Sequence, residues 1–93
     1  MRRSNRDKRS VTLLRVLDAV RTAEKVTGYQ IWFEYATHIN AVCVTTYRER
    51  YWREYEHEGK HDMYHIVDYA DLKTVSTEEM LDAIDKFIEE ETA

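Results

Sequence analysis

Leu13, Val16, Leu17, Val20 and Ala23 recur at steps of three and four, which places them on one side of a helix. The spacing predicts a helix from about residue 10 to residue 27. Ser10 is its expected cap, accepting from a first-turn N–H. Arg15, Asp18, Arg21 and Lys25 fall elsewhere on that helix. Gly28 follows at a place where a left-handed residue without a Cβ commonly ends a helix.

The period then changes to two. Tyr29, Ile31, Phe33 and Tyr35 point one way, and Gln30, Trp32, Glu34 and Ala36 the other. A turn at His38, Ile39 and Asn40 leads into residues 41–47, rich in Val and Thr as strands are. So short a connection predicts an antiparallel hairpin. Residues 63–70 form a further strand candidate whose apolar residues fall on two faces, so its inward side stays open. Residues 48–58 suit either a helix, from the spacing of Tyr47, Tyr51 and Tyr55, or a bent strand turning at Gly59. The aromatic content tilts the reading toward strand.

The clearest signal comes last. Ser76 and Glu79 have the spacing of a capping box, with Val75 and Met80 as a flanking apolar staple. Met80, Leu81, Ile84, Phe87 and Ile88 then form one stripe. The tail Glu89, Glu90, Glu91 opposes the helix dipole and is expected to fray. The expected fold is α+β: an antiparallel sheet of three to four strands with an N-terminal and a C-terminal helix on one face. Residues 1–9 read as a flexible basic arm and residues 10–93 as a single domain. The other sheet face, carrying Trp32, is left uncovered.

Composition changes this picture in three ways. The 93 residues have room for one modest core and little for a deep pocket. The single cysteine, Cys43, favours a reducing compartment, and a cytoplasmic location is expected. No apolar run approaches the ~20 residues that span a bilayer, so no membrane role is expected. Charge is uneven: residues 1–10 carry five cations against Asp7, a net of +4, whereas the remainder carries nine cations and 17 acids, a net of −8.

Four groups of residues are candidates for function. Arg48, Arg50, Tyr51, Trp52, Arg53 and Tyr55 mix rings with guanidinium groups. That mixture suits a protein interface or stacking on unpaired bases. It also suits a solvated strand whose charges pair across the sheet. Neighbouring glutamates cancel the positive surplus that a nucleic-acid groove needs. The basic residues Arg2, Arg3, Arg6, Lys8 and Arg9 are the alternative, phosphate-contacting set. Asp82, Asp85 and Glu89 lie off the stripe of the last helix and would suit a partner rich in Lys and Arg. His57, His61 and His65 are spaced by four, but Gly59 interrupts them and no CxxC accompanies them. They are weak metal candidates, and no metal or cofactor is expected.

There is no Gly-rich phosphate loop, nucleophile elbow or HExxH motif, so a catalytic role is not expected. The leading expectation is a small non-catalytic protein-binding module. Its contact surface would join Trp32, Tyr51, Trp52 and Tyr55 on the sheet to the acids of the last helix. Homodimerisation through the open sheet face is compatible with it. Short length, one domain and missing catalytic motifs are similar in kind to small accessory proteins of phages and mobile elements. That resemblance implies inhibition of a basic, nucleic-acid-handling host enzyme such as a CRISPR or restriction nuclease. The alternative expectation is a nucleic-acid-binding regulator using the basic arm and the segment 47–55.

Overall fold

The computed structural model describes residues 5–47 and 63–93. In chain order they form α1 (Asn5–Thr27), β1 (Ile31–Ala36), β2 (Ala41–Tyr47), β3 (Met63–Asp71) and α2 (Thr77–Thr92). The three strands make one antiparallel meander with β2 in the centre. Both helices lie on one face of it and pack on each other. The α+β reading with both helices on one face therefore holds. A fourth strand within residues 48–58 lies outside the described residues.

α1 begins at Asn5, earlier than Ser10. Ser10 is therefore a helix residue and not a cap, and Lys8 and Arg9 belong to α1. The helix stops because Gly28 takes φ 78° and donates its N–H to the Glu24 carbonyl at 2.9 Å. Thr27 and Glu24 then organise the exit. Thr27 Oγ1 accepts from the Tyr29 N–H at 3.2 Å and Glu24 Oε2 accepts from the Ile31 N–H at 3.0 Å. The β1–β2 turn places Asn40 at φ 52°, a left-handed position that asparagine tolerates better than most residues. Tyr35 donates its hydroxyl to Asn40 Oδ1 at 2.6 Å and fixes that turn.

Val16, Val20 and Ala23 of α1, Val42 and Val44 of β2, and Met80, Ile84 and Phe87 of α2 form the centre of the core. Phe87 sits between two tyrosine rings. Its centroid is 5.8 Å from that of Tyr64, nearly stacked, and 6.0 Å from that of Tyr29, tilted. Thr46 of β2, fully buried, donates its hydroxyl to the Gln30 carbonyl at 2.7 Å. That bond removes the cost of an unpaired buried hydroxyl.

β3 breaks alternation for a definite reason. Val42 pairs with Ala70, Val44 with Val67 and Thr45 with His65. β3 therefore carries one extra residue in each of two bulges: Ile66 in one, and in the other Asp68 and Tyr69 together opposite the single Cys43. Each bulge shifts the inward phase, so Ile66, Val67 and Ala70 are all buried. This is why a period of two could not assign its inner side.

α2 is capped as its sequence requires. Ser76 Oγ accepts from the Glu79 N–H at 3.1 Å, and the Glu79 carboxylate accepts from the Ser76 N–H. Its acidic end runs helical to Thr92. Glu91 there accepts the Tyr29 hydroxyl at 2.8 Å, which offsets part of the unfavourable dipole contact. Truncating Phe87 removes a ring that is 1% exposed and touches both neighbouring rings. Phe87→Ala should lower unfolding free energy by about 3–5 kcal/mol in urea denaturation. Ser76→Ala should cost about 1 kcal/mol in the same measurement.

Candidate functional site

The sheet face turned away from the helices is built by strand register, and among the described residues no helix or strand packs on it. Trp32 of β1 stands beside Thr45 of β2, which stands beside His65 of β3. One step along, Glu34 pairs with Cys43, and the bulge sets Asp68 and Tyr69 against Cys43 from the other side. Tyr69 adopts φ 46°, a conformation that costs a non-glycine residue about 1–3 kcal/mol. In that conformation it reaches across the central strand, and its hydroxyl donates to Glu34 Oε1 at 3.2 Å.

The result is a polar cluster around a covered thiol. Cys43 is only 4% exposed, although it belongs to the face without helices. One ligand-capable atom from each of Cys43, His65 and Asp68 lies within 4.8 Å of the other two, with His65 and Asp68 exposed. Burial pushes the Cys43 thiol up, and the nearby carboxylates of Glu34 and Asp68 add to that. A backbone hydrogen bond with Tyr69 works against it. The Tyr69 hydroxyl is also raised, first because it donates to Glu34 and then because the Glu34 charge opposes its ionisation.

Trp32 lies on this open face as the alternation predicted, and it is 41% exposed. Asp82, Asp85 and Glu89 are exposed on α2, turned away from the buried line of Met80, Ile84 and Phe87. They therefore occupy the helix-covered side, opposite Trp32, and the two sets do not form one continuous patch. Arg48, Arg50, Tyr51, Trp52, Arg53, Tyr55, His57, His61, Arg2 and Arg3 lie outside the described residues. Arg6 falls in the first turns of α1. Lys8 and Arg9 line a surface cleft of about 470 Å³ together with Thr12, Asn40, Leu72 and Lys73. Arg9 also donates to the Tyr35 hydroxyl at 3.3 Å.

Two features escaped the sequence reading. One is the Cys43–His65–Asp68 cluster, which crosses two strands and depends on a bulge. Its only sequence signal is that Cys43 and His65 each flank inward-facing strand positions. The other is a second apolar stripe on α1. Val11, Leu14 and Leu17 are exposed, Leu14 by 66%. Leu17, expected in the core, is 38% exposed, because the buried line follows Leu13, Val16, Val20 and Ala23 and leaves Leu17 at its margin. The steps of three from Val11 to Leu14 to Leu17 were the available signal.

Comparison of the chain with protein-family models, with curated proteins and with solved structures finds no match. Among the described residues no helix is long and apolar enough to cross a membrane.

The raised thiol has a stability consequence. Between the ordinary thiol value of 9.0 and the higher value in the fold, the unfolded chain releases a proton that the native chain keeps. The contribution is present in full below the ordinary value and is lost as pH rises through the native one. Urea midpoints should therefore fall as pH climbs above that ordinary value. Cys43→Ala should flatten the first part of the decline, leaving the part due to Tyr69 at higher pH.

Proposed function

We propose that this chain is a small protein-binding module that docks on a partner protein through the outer surface of its helix layer. The observation that supports this reading most is the second apolar stripe of α1. A helix on one side of a single sheet needs one apolar face. α1 has that face and also exposes Val11, Leu14 and Leu17. Exposed aliphatic residues grouped in this way suit contact with another macromolecule. α2 lies against α1 in the same layer and exposes Glu78, Asp82, Asp85 and Glu89. A partner presenting an apolar patch beside Lys and Arg would match both helices. A nucleic-acid-handling enzyme has such surfaces, and occupying one would inhibit it. On this reading Trp32 is not part of the principal contact.

The nucleic-acid alternative is favoured by one observation, the cleft that gathers Lys8, Arg9 and Lys73. These cations suit a phosphate, but three of them give only a modest electrostatic term in physiological salt. Gel shifts with DNA and RNA, and their dependence on Lys8→Ala and Lys73→Ala, distinguish this reading.

The principal test uses Leu14→Asp in the full chain. The variant should keep the parent melting curve, because Leu14 is exposed. An immobilised parent chain should retain a defined protein from extract, and the variant should bind that protein more weakly by roughly thirtyfold, the scale of an interface hot spot near 2 kcal/mol. Trp32→Ala should leave the affinity unchanged. If Leu14→Asp binds as well as the parent, or Trp32→Ala alone abolishes binding, the helix layer is not the docking surface. Sedimentation at high concentration identifies the case in which the partner is a second copy.

A further inference from the structure

We infer that Cys43, His65 and Asp68 form a binding site for a zinc-type divalent metal ion on the open face of the sheet. The donor set is one sulfur, one imidazole nitrogen and one carboxylate oxygen, and their atoms lie within 4.8 Å of one another. Thiolate with imidazole selects zinc and its close relatives over magnesium and calcium, which favour oxygen alone.

A tetrahedral ion needs the donor atoms about 1 Å closer than their 4.8 Å limit. Zinc bonds of about 2.0–2.3 Å place neighbouring donors roughly 3.3–3.7 Å apart. The cluster is wider than that at its limit, and its two exposed members can close the difference by side-chain rotation. Cys43 is the fixed point. It is held in the central strand and is 4% exposed. His65 and Asp68 are exposed on the adjacent strand and free of core packing. Three protein ligands leave a fourth tetrahedral position for solvent, as in zinc sites that bind or activate a small molecule.

The surroundings favour a cation at this point. Glu34 stands across the strand from Cys43, and with Asp68 it makes the site anionic. The bulge is what creates the site. Without the extra residue, one position and not two would oppose Cys43, and Asp68 would not share a face with His65. The left-handed Tyr69 stabilises the arrangement by anchoring to Glu34. Metal binding would release the Cys43 proton to solvent, leaving thiolate, carboxylate and neutral imidazole as ligands.

The chain has one cysteine, which makes the test unambiguous. Cobalt(II) is titrated into the reduced full chain near neutral pH and the absorption spectrum is followed. One equivalent should produce visible bands of tetrahedral intensity and a near-ultraviolet thiolate-to-cobalt band, both displaced by zinc. Cys43→Ser should abolish the charge-transfer band. His65→Ala and Asp68→Asn, which alter exposed side chains, should each weaken binding by at least roughly tenfold. The double change His57→Ala, His61→Ala should leave it intact. Absence of the charge-transfer band in the folded parent overturns the inference. So does a cobalt affinity unchanged in His65→Ala and Asp68→Asn, or a band lost in the His57/His61 double variant. Leu14→Asp should not affect the spectrum, so this result and the docking result are read separately.

Discussion

Val42 and Val44 on the central strand are fully buried, and covering them is the constraint on which the rest of the structure depends. A three-stranded sheet cannot bury its own face. The chain solves this with one helix before the sheet and one after it, both on the same side. Each large side chain moved out of water there is worth about 1.5–3 kcal/mol. Phe87, Ile84 and Met80 supply much of that from α2, and Val16, Val20 and Ala23 supply the share of α1. Phe87 also fixes where α2 sits, because its ring has to fit between Tyr29 and Tyr64.

Both helices lie on one side, and among the described residues the other side of the sheet carries Trp32 and a polar cluster. Cys43 belongs to that side yet is covered, because β3 bulges opposite it and Tyr69 folds across toward Glu34. A residue of ordinary backbone preference would not be expected to sit at φ 46°. The strain is local to the place where, among the described residues, thiol, imidazole and carboxylate converge, and such strain concentrates at functional positions. The same bulges place Ile66 and Val67 both in the core, so the distortion serves packing on one face and the cluster on the other.

The helix layer carries a different kind of surface. α1 exceeds what the core demands of it, since apolar residues appear on its inner line and again on its outer side. α2 stays within the usual pattern, with one buried line and an acidic exterior. The contact between them is mostly apolar. It is supplemented by the 2.9 Å hydrogen bond between the Thr12 and Thr77 hydroxyls and by an exposed Arg15–Glu78 pair at 3.6 Å. That pair adds little to stability, but it marks where the two exteriors join into one surface. Among the described residues, the helix side is thus apolar and acidic, and the opposite sheet side carries the polar Cys43–His65–Asp68 cluster.

Features governed by neighbours along the chain were legible before the fold was known, the start of α1 at Asn5 in place of the expected Ser10 cap excepted. Helix periodicity, the Ser76–Glu79 capping box, the Gly28 stop, the Tyr29-to-Tyr35 alternation and the short β1–β2 turn are each settled within a few residues. Their physics is local hydrogen bonding and side-chain direction. Tertiary structure alone decided the rest. The inward phase of β3 depends on bulges seen only against its partner strand. Leu17 leaves the core because the sheet meets α1 along a line slightly turned from the one the spacing suggested. Trp32 and the acids of α2 part company because strand and helix exteriors face opposite ways. Cys43 meets His65 and Asp68 because register, set by the burial of Val44 and Val67 against the helices, brings distant positions side by side. Contacts between residues far apart in sequence are selected by packing of the whole, and no window along the chain contains that information.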